Sequence, residues 1–292
     1  MFSRPVKHVA RTKILASALD GGRQALVYAM DVTLSEELAM VLPVPVPRCS
    51  AEDALSFVDL SGYAGFFDDL EKAFPPALLM ASRSKGFGAP QSAPTLVVHE
   101  VGDFDASFVP KRADFARLDA RFRLPDAIWG ALSRYDDWGF AVFKLRPKRG
   151  FLGLSIKTQS VHPMAFVFPS REPEALYFPT VHVHDGALPS TAHFDHHLYA
   201  QARGVLGASL GWARSNGPVE RYVDLERARG VLSPGGAQHE LVVGVLPNDD
   251  VWLRAGEGDG FTYSSAKPDR RIDYLWLSQG APLQPVRAWV PY

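Results

Sequence analysis

Apolar residues along this chain come mostly in short runs rich in Val, Phe, Tyr and Leu, broken by Gly and Pro. That is the pattern of strands joined by turns. It predicts strands over Gln24–Val32, Leu38–Val46, Thr95–Val101, Gly139–Arg146, Pro163–Phe168, Leu176–His184, Leu241–Leu246 and Asp273–Leu277. Pro43, Pro45 and Pro47 alternate with Val44 and Val46. Because proline donates nothing to a sheet ladder, this stretch belongs on a sheet edge or is leaving the sheet.

Two segments carry helical spacing instead. After Ser61 as a candidate N-cap, Tyr63, Phe66, Phe67, Leu70 and Phe74 share one stripe, Asp68, Asp69 and Glu71 turn outward, and Pro75 and Pro76 end the run. Pro125 suits a first helical turn, and Ile128, Trp129, Leu132 and Tyr135 follow it as a second stripe. A third, weaker helical candidate runs from near Asp224 to about Leu232. The expected fold class is therefore mainly β (α+β): sandwich-like antiparallel sheets with two or three packed helices.

A faint internal echo accompanies this pattern. Leu26-Val27-Tyr28 resembles Ala141-Val142-Phe143, and Ala39-Met40-Val41-Leu42-Pro43 resembles Ala165-Phe166-Val167-Phe168-Pro169. The chain is read as a single β-rich domain over 1–292, with candidate related halves 1–80 and 95–292. Between them, 81–94 is rich in Ser, Gly and Pro and reads as a mobile loop.

Composition narrows the class of function. Basic and acidic side chains nearly cancel, 31 against 32, so no global field attracts nucleic acid or an anionic membrane. The single cysteine, Cys49, excludes an intramolecular disulfide and a Cys-based zinc framework within one chain. No stretch approaches the roughly 20 apolar residues of a membrane span, and the apolar run near the N-terminus is too short for a signal-peptide core. These features predict a soluble, cytoplasmic protein.

The most concentrated chemistry is a histidine cluster. Five of the nine histidines fall between positions 182 and 197, in Thr180-Val181-His182-Val183-His184-Asp185-Gly186 and His193-Phe194-Asp195-His196-His197-Leu198-Tyr199. Read as extended chain, the first stretch puts His182 and His184 on one face, and the second puts His193, Asp195, His197 and Tyr199 on one face. A hairpin pairing His184 with His193, His182 with Asp195 and Thr180 with His197 would gather four imidazoles and a carboxylate. Opposed side chains then stand about 4.5–5.5 Å apart at Cβ. Such donors suit zinc, iron, copper or nickel.

The candidate ligands are His182, His184 and His193, with Asp195 as a fourth ligand or an orienting group and His197 as a substitute. His196 is set aside because the alternation aims it at the apolar side. The competing reading is a solvated polar sheet face. The two-His pair resembles part of a cupin motif, but the later Glu and the second Gly-rich block of that family are missing, and an HExxH helix is absent.

Other features point less sharply. His239-Glu240 and His99-Glu100 read as strand entries, and Cys49 as an unreactive thiol. Asp136-Asp137 sits in a turn signal, and Arg146-Pro147-Lys148-Arg149 is a compact basic loop. The Pro-Val-Pro-Val-Pro edge is a candidate for docking a partner by strand addition or in an aromatic groove. Two functions are therefore in view: a transition-metal site on a His-rich hairpin, or a noncatalytic protein-binding or scaffold module without a cofactor.

Overall fold

The computed structural model describes residues 1–6, 8–74, 99–101, 104–130, 132–147, 159–179, 196–203, 213–235, 239–245, 256–257, 263–264, 267–268, 274–278 and 285–289. In chain order the elements are β1 (His8–Leu19), β2 (Arg23–Thr33), β3 (Leu38–Val44), β4 (Ser56–Asp59), α1 (Phe66–Glu71), β5 (His99–Val101), β6 (Phe104–Val109), α2 (Asp126–Gly130), β7 (Gly139–Leu145), β8 (Gln159–Pro169) and β9 (Ala175–Pro179). They continue with β10 (His197–Arg203), β11 (Ala213–Arg214), β12 (His239–Val245), β13 (Gly256–Glu257), β14 (Tyr263–Ser264), β15 (Lys267–Pro268), β16 (Tyr274–Ser278) and β17 (Pro285–Trp289). The protein is mainly β and sandwich-like, with few helices, as the apolar runs predict.

Two sheets dominate. One has seven strands in the order β11-β12-β10-β1-β2-β8-β4, and the other four in the order β3-β7-β6-β5. Their facing sides form one core in which Phe57 of β4, Phe143 of β7 and Phe166 of β8 meet edge-on or tilted, with ring centroids 5.4–6.4 Å apart. Each buried Phe contributes about 1.5–3 kcal/mol relative to exposure. The outer side of the four-stranded sheet is covered by the segment around α2, where Phe115 and Trp129 pack on Phe140.

The outer side of the seven-stranded sheet is covered in the same way. Tyr63, Phe66, Phe67, Leu70 and Phe74 lie with Val219, Val223 and Val231 on Leu15, Val27, Ala165 and Tyr199. Both central strands are thus buried on two faces. This explains why Ile14–Leu19, apolar but for Ser17, gives no alternation to mark β1 as a strand.

The helical stripes are borne out at the level of burial, with every apolar residue in both inside. They are broken into shorter pieces, however: a 3-10 turn at Ser61–Tyr63 precedes α1, and another at Ser133–Tyr135 follows α2. The third helical candidate is corrected. Residues from Asp224 to Leu232 form successive turns, which end where Arg229 and Gly230 take φ of 49° and 80°. Two successive left-handed residues cannot continue a right-handed helix.

The proline-rich edge lies where the sequence puts it, since β3 is an edge strand. It is covered, though. Residues 43–46 are buried, the Tyr177 hydroxyl donates to the Pro43 carbonyl, and Arg171 donates from its backbone N–H to Pro45 and from Nε to Val46. Farther along β3, the Ser3 N–H donates to the Ala39 carbonyl and the Val41 N–H to the Met1 carbonyl. Pro43–Val46 is therefore not an open docking edge.

The strands of the internal echo pair with one another across the candidate halves. The echo aligns β2 with β7 and β3 with β8, and in the structure β2 pairs with β8 while β3 pairs with β7, both antiparallel. The link from β2 to β3 crosses from one sheet to the other, and the chain crosses back between β7 and β8. Each sheet consequently takes strands from both candidate halves.

Candidate functional site

Of the five residues put forward as metal ligands, His197 lies among the described residues, while His182, His184, His193 and Asp195 lie outside them, as does the loop 81–94. His197 opens β10 and is half-buried. It pairs in parallel with Lys13 of β1 on one side and antiparallel with Val245 of β12 on the other. With both ladder sides taken, the expected pairing of Thr180 with His197 is not formed. The strand expected to supply it, β9, instead pairs with β16 in a separate sheet. His196 is buried, as its apolar-side assignment anticipates. Among the described residues no three His, Cys, Asp or Glu side chains are grouped to hold a metal ion.

The structure gathers a different polar cluster beside His197. In a parallel pair, aligned residues point to the same side, so Lys13 and His197 share the outer face of the sheet with Leu15 and Tyr199. Here the end of α1 comes down onto the strands. Lys13 Nζ lies 2.5 Å from Glu71 Oε1 and 3.9 Å from Asp68 Oδ1, and the Tyr199 hydroxyl donates to the same Glu71 oxygen at 3.1 Å. The Tyr199 ring is held by Phe67 and Phe74, with centroids 5.6 and 5.9 Å away. Burial, then the neighbouring Glu71 charge, pushes the Tyr199 hydroxyl far above the ordinary tyrosine range.

The chemistry of this cluster is self-contained. The phenol stays protonated, the ammonium is matched by a carboxylate, and that carboxylate already accepts from both. It ties α1 to β1 and β10. The sequence shows Lys13 only as a charge interrupting an apolar run, and the missing signal is parity: residues 13, 15, 17 and 19 share the face that α1 covers.

Farther along the same face, the Ser17 hydroxyl donates to Gln201 Oε1 at 2.9 Å, while the Gln201 amide donates to the Ser233 carbonyl and its oxygen accepts the Ser233 N–H. Under α1, Tyr63 donates to Asp69 at 2.8 Å and accepts the Asp224 N–H at 3.1 Å. Burial pushes the Asp69 carboxyl up, but hydrogen bonds from Lys72 and Tyr63 outweigh it and leave it below its ordinary value.

The remaining candidates resolve locally. β12 begins at His239 and β5 at His99, as strand entries. Cys49 is exposed. Asp136 pairs with Arg112, and Asp137 pairs with Arg48 and Arg171. Arg146 of the basic loop is held by Asp105 and Glu37.

Comparisons with known proteins add little. No family model and no curated protein matches the chain. Among solved structures, baculovirus P35 is similar at 15% identity and a TM-score of 0.39, over 68% of this chain and 66% of that one. The chain thus spans just under two thirds of that structure. A caspase-8/P35 complex is similar at 12% identity and a TM-score of 0.37, over 81% of this chain and 91% of that one. These likenesses are too loose to carry an argument about function.

Proposed function

We propose that this chain is a noncatalytic protein-binding module whose partner is recognised by residues 75–98. The supporting observation is that both flanks of that stretch are fixed in different layers. On one side, Phe66, Phe67, Leu70 and Phe74 are buried against the seven-stranded sheet, and the Asn216 N–H donates to the Ala73 carbonyl at 2.7 Å. On the other, β5 is laddered to β6 in the four-stranded sheet. Stretches whose flanks are fixed by packed elements are where scaffolds carry recognition. The self-contained Lys13, Glu71 and Tyr199 cluster supports a noncatalytic reading of the described polar groups.

Caspase-8, the protein named in complex with P35, serves as the first probe. The chain is compared with a version in which residues 78–96 are replaced by a short Gly-Ser connection. The expected result is an unchanged melting temperature together with loss of binding. Equal binding by both, or unfolding of the shortened chain, overturns the proposal.

The competing reading is a transition metal held by His182, His184, His193, Asp195 and His197. At His197 the nearby carboxylate of Glu71 is already engaged by Lys13 and Tyr199. Metal analysis of protein purified without a His-tag separates the two: stoichiometric metal that is lost in the His182→Ala, His184→Ala double variant favours the metal site.

A further inference from the structure

The connection that follows β11 carries a reactive pair. Asn216 and Gly217 form a bend between Arg214 and a 3-10 turn at Val219–Arg221, and Asn216 is exposed. The chain has two asparagines, Asn216 and Asn248, and Asn216 is the one followed by glycine. The bend is pinned on both sides. The Ser215 N–H donates to the Leu241 carbonyl at 3.1 Å, the Asn216 N–H to the Ala73 carbonyl at 2.7 Å, and the Ser215 hydroxyl to the Gly217 carbonyl at 2.7 Å. None of these bonds engages the Asn216 side-chain amide or the Gly217 nitrogen.

We propose that Asn216 is a site of spontaneous covalent modification, converting to isoaspartate and aspartate with loss of ammonia. The Gly217 backbone nitrogen attacks Asn216 Cγ, and the new N–Cγ bond closes a five-membered succinimide ring. The Cγ–Nδ2 bond breaks, and Nδ2 leaves as ammonia with the proton given up by the Gly217 nitrogen. Water then adds to one of the two ring carbonyls. Opening at Cγ gives aspartate, and opening at the main-chain carbon gives isoaspartate, whose backbone runs on through Cβ and Cγ. Nothing is oxidised or reduced.

Three features favour the reaction here. Glycine brings no Cβ to obstruct the approach of its own nitrogen. Exposure of Asn216 admits the water that opens the ring. A Cβ built on Gly217 would stand 3.2 Å from Arg221 Nη1, so a guanidinium lies beside the group that carries negative charge as the ring closes. A fixed positive charge favours that charged form.

The product alters what Asn216 ties down. Both products replace a neutral amide with a carboxylate. In isoaspartate the carboxylate sits on the Cα beside the nitrogen that holds the Ala73 oxygen, where like charges repel. The added main-chain carbon also lengthens the span that the Ser215 hydroxyl bridges to Gly217. Conversion therefore loosens the chain at Ala73, whatever residues 75–98 bind.

The test incubates the folded full chain at mildly alkaline pH, beside a urea-unfolded sample and a folded Gly217→Ala variant. Tryptic peptide 215–221 is then weighed for the amide-to-acid change and probed with protein isoaspartate methyltransferase. The folded parent is expected to convert at least as fast as the unfolded chain and to accept the methyl label, and Gly217→Ala is expected to lose both signals. Brief trypsin treatment of the native converted protein should cut faster after Lys72, which is exposed beside Ala73. A folded parent that keeps its amide while the unfolded chain converts, or equal conversion in Gly217→Ala, overturns the proposal. Cutting after Lys72 at an unchanged rate overturns the loosening. The parent measurements decide the matter even where Gly217→Ala fails to fold.

Discussion

Gln24 binds the backbone of Tyr177 in both directions. Its side-chain amide donates to the Tyr177 carbonyl at 2.7 Å, and its oxygen accepts the Tyr177 N–H at 3.0 Å, with both residues buried. The side chain thereby acts as a piece of strand joining β2 to β9, whose other edge is paired with β16. The Tyr177 hydroxyl reaches Pro43 of β3 in turn, so three sheets meet at this residue.

Replacing Gln24 with Ala removes both of these buried hydrogen bonds and is expected to cost about 2–4 kcal/mol. Urea unfolding at equilibrium measures it. A loss below 0.5 kcal/mol, roughly the level of a neutral surface change, would show that Gln24 does not join the sheets.

Gly139 admits no side chain. A Cβ there would lie 2.5 Å from Phe108 Cε2 and 2.9 Å from Val46 Cγ2. Gly139→Ala therefore overfills the core and is expected to destabilise by about 1–3 kcal/mol, seen as a lowered melting temperature. An unchanged melting temperature would contradict this packing.

Tyr199 is expected to resist ionisation. Burial first, and the Glu71 charge second, raise its hydroxyl above the ordinary tyrosine value near 10. A group whose pKa is raised by folding contributes stability below its unfolded value and loses it as pH rises beyond that value. Alkaline titration of phenolate absorbance should show Tyr199 ionising only as the protein unfolds. Tyr199→Phe should remove that late step and cost about 1.5–3 kcal/mol at neutral pH.

Asp119 gives the opposite sign. Hydrogen bonds from the Arg121 side chain and backbone hold its carboxyl at about 2. A depressed acid contributes its stability above the unfolded value and loses it as pH falls through the folded one. Carboxyl-carbon NMR should therefore find Asp119 still charged at pH 3, and Arg121→Ala should move its midpoint up toward the ordinary aspartate value. A midpoint indifferent to Arg121→Ala would show that the pair does not form in solution.

Much of the fold is legible in the sequence, for physical reasons that differ by element. β2, β3 and β7 announce themselves through β-branched and aromatic runs bounded by turns, and the stripes around Phe66 and Trp129 correctly name their buried faces. β1 and β10 are hidden because they are central strands. Covered on both sides, they lose the alternation that reveals a strand with one wet face.

The hairpin reading at His197 failed for a related reason. Alternation identified which residues share a face, but pairing is decided by distant strands. Lys13 and Val245 take the places that a sequence neighbour was expected to fill. The cluster of Lys13, Glu71 and Tyr199 was invisible for the same cause, because it joins residues from positions 13, 71 and 199.

The reciprocal pairing of β2 with β8 and β3 with β7 bears on the order in which the chain matures. Val32 must wait for Gln159, 127 residues later, and Arg23 for Pro169, 146 residues later. During synthesis β2 emerges long before its partner, and contacts so far apart along the chain form slowly. The seven-stranded sheet is consequently completed late, so a protein truncated before residue 159 would leave the newly made β2 with an unsatisfied rim inviting self-association.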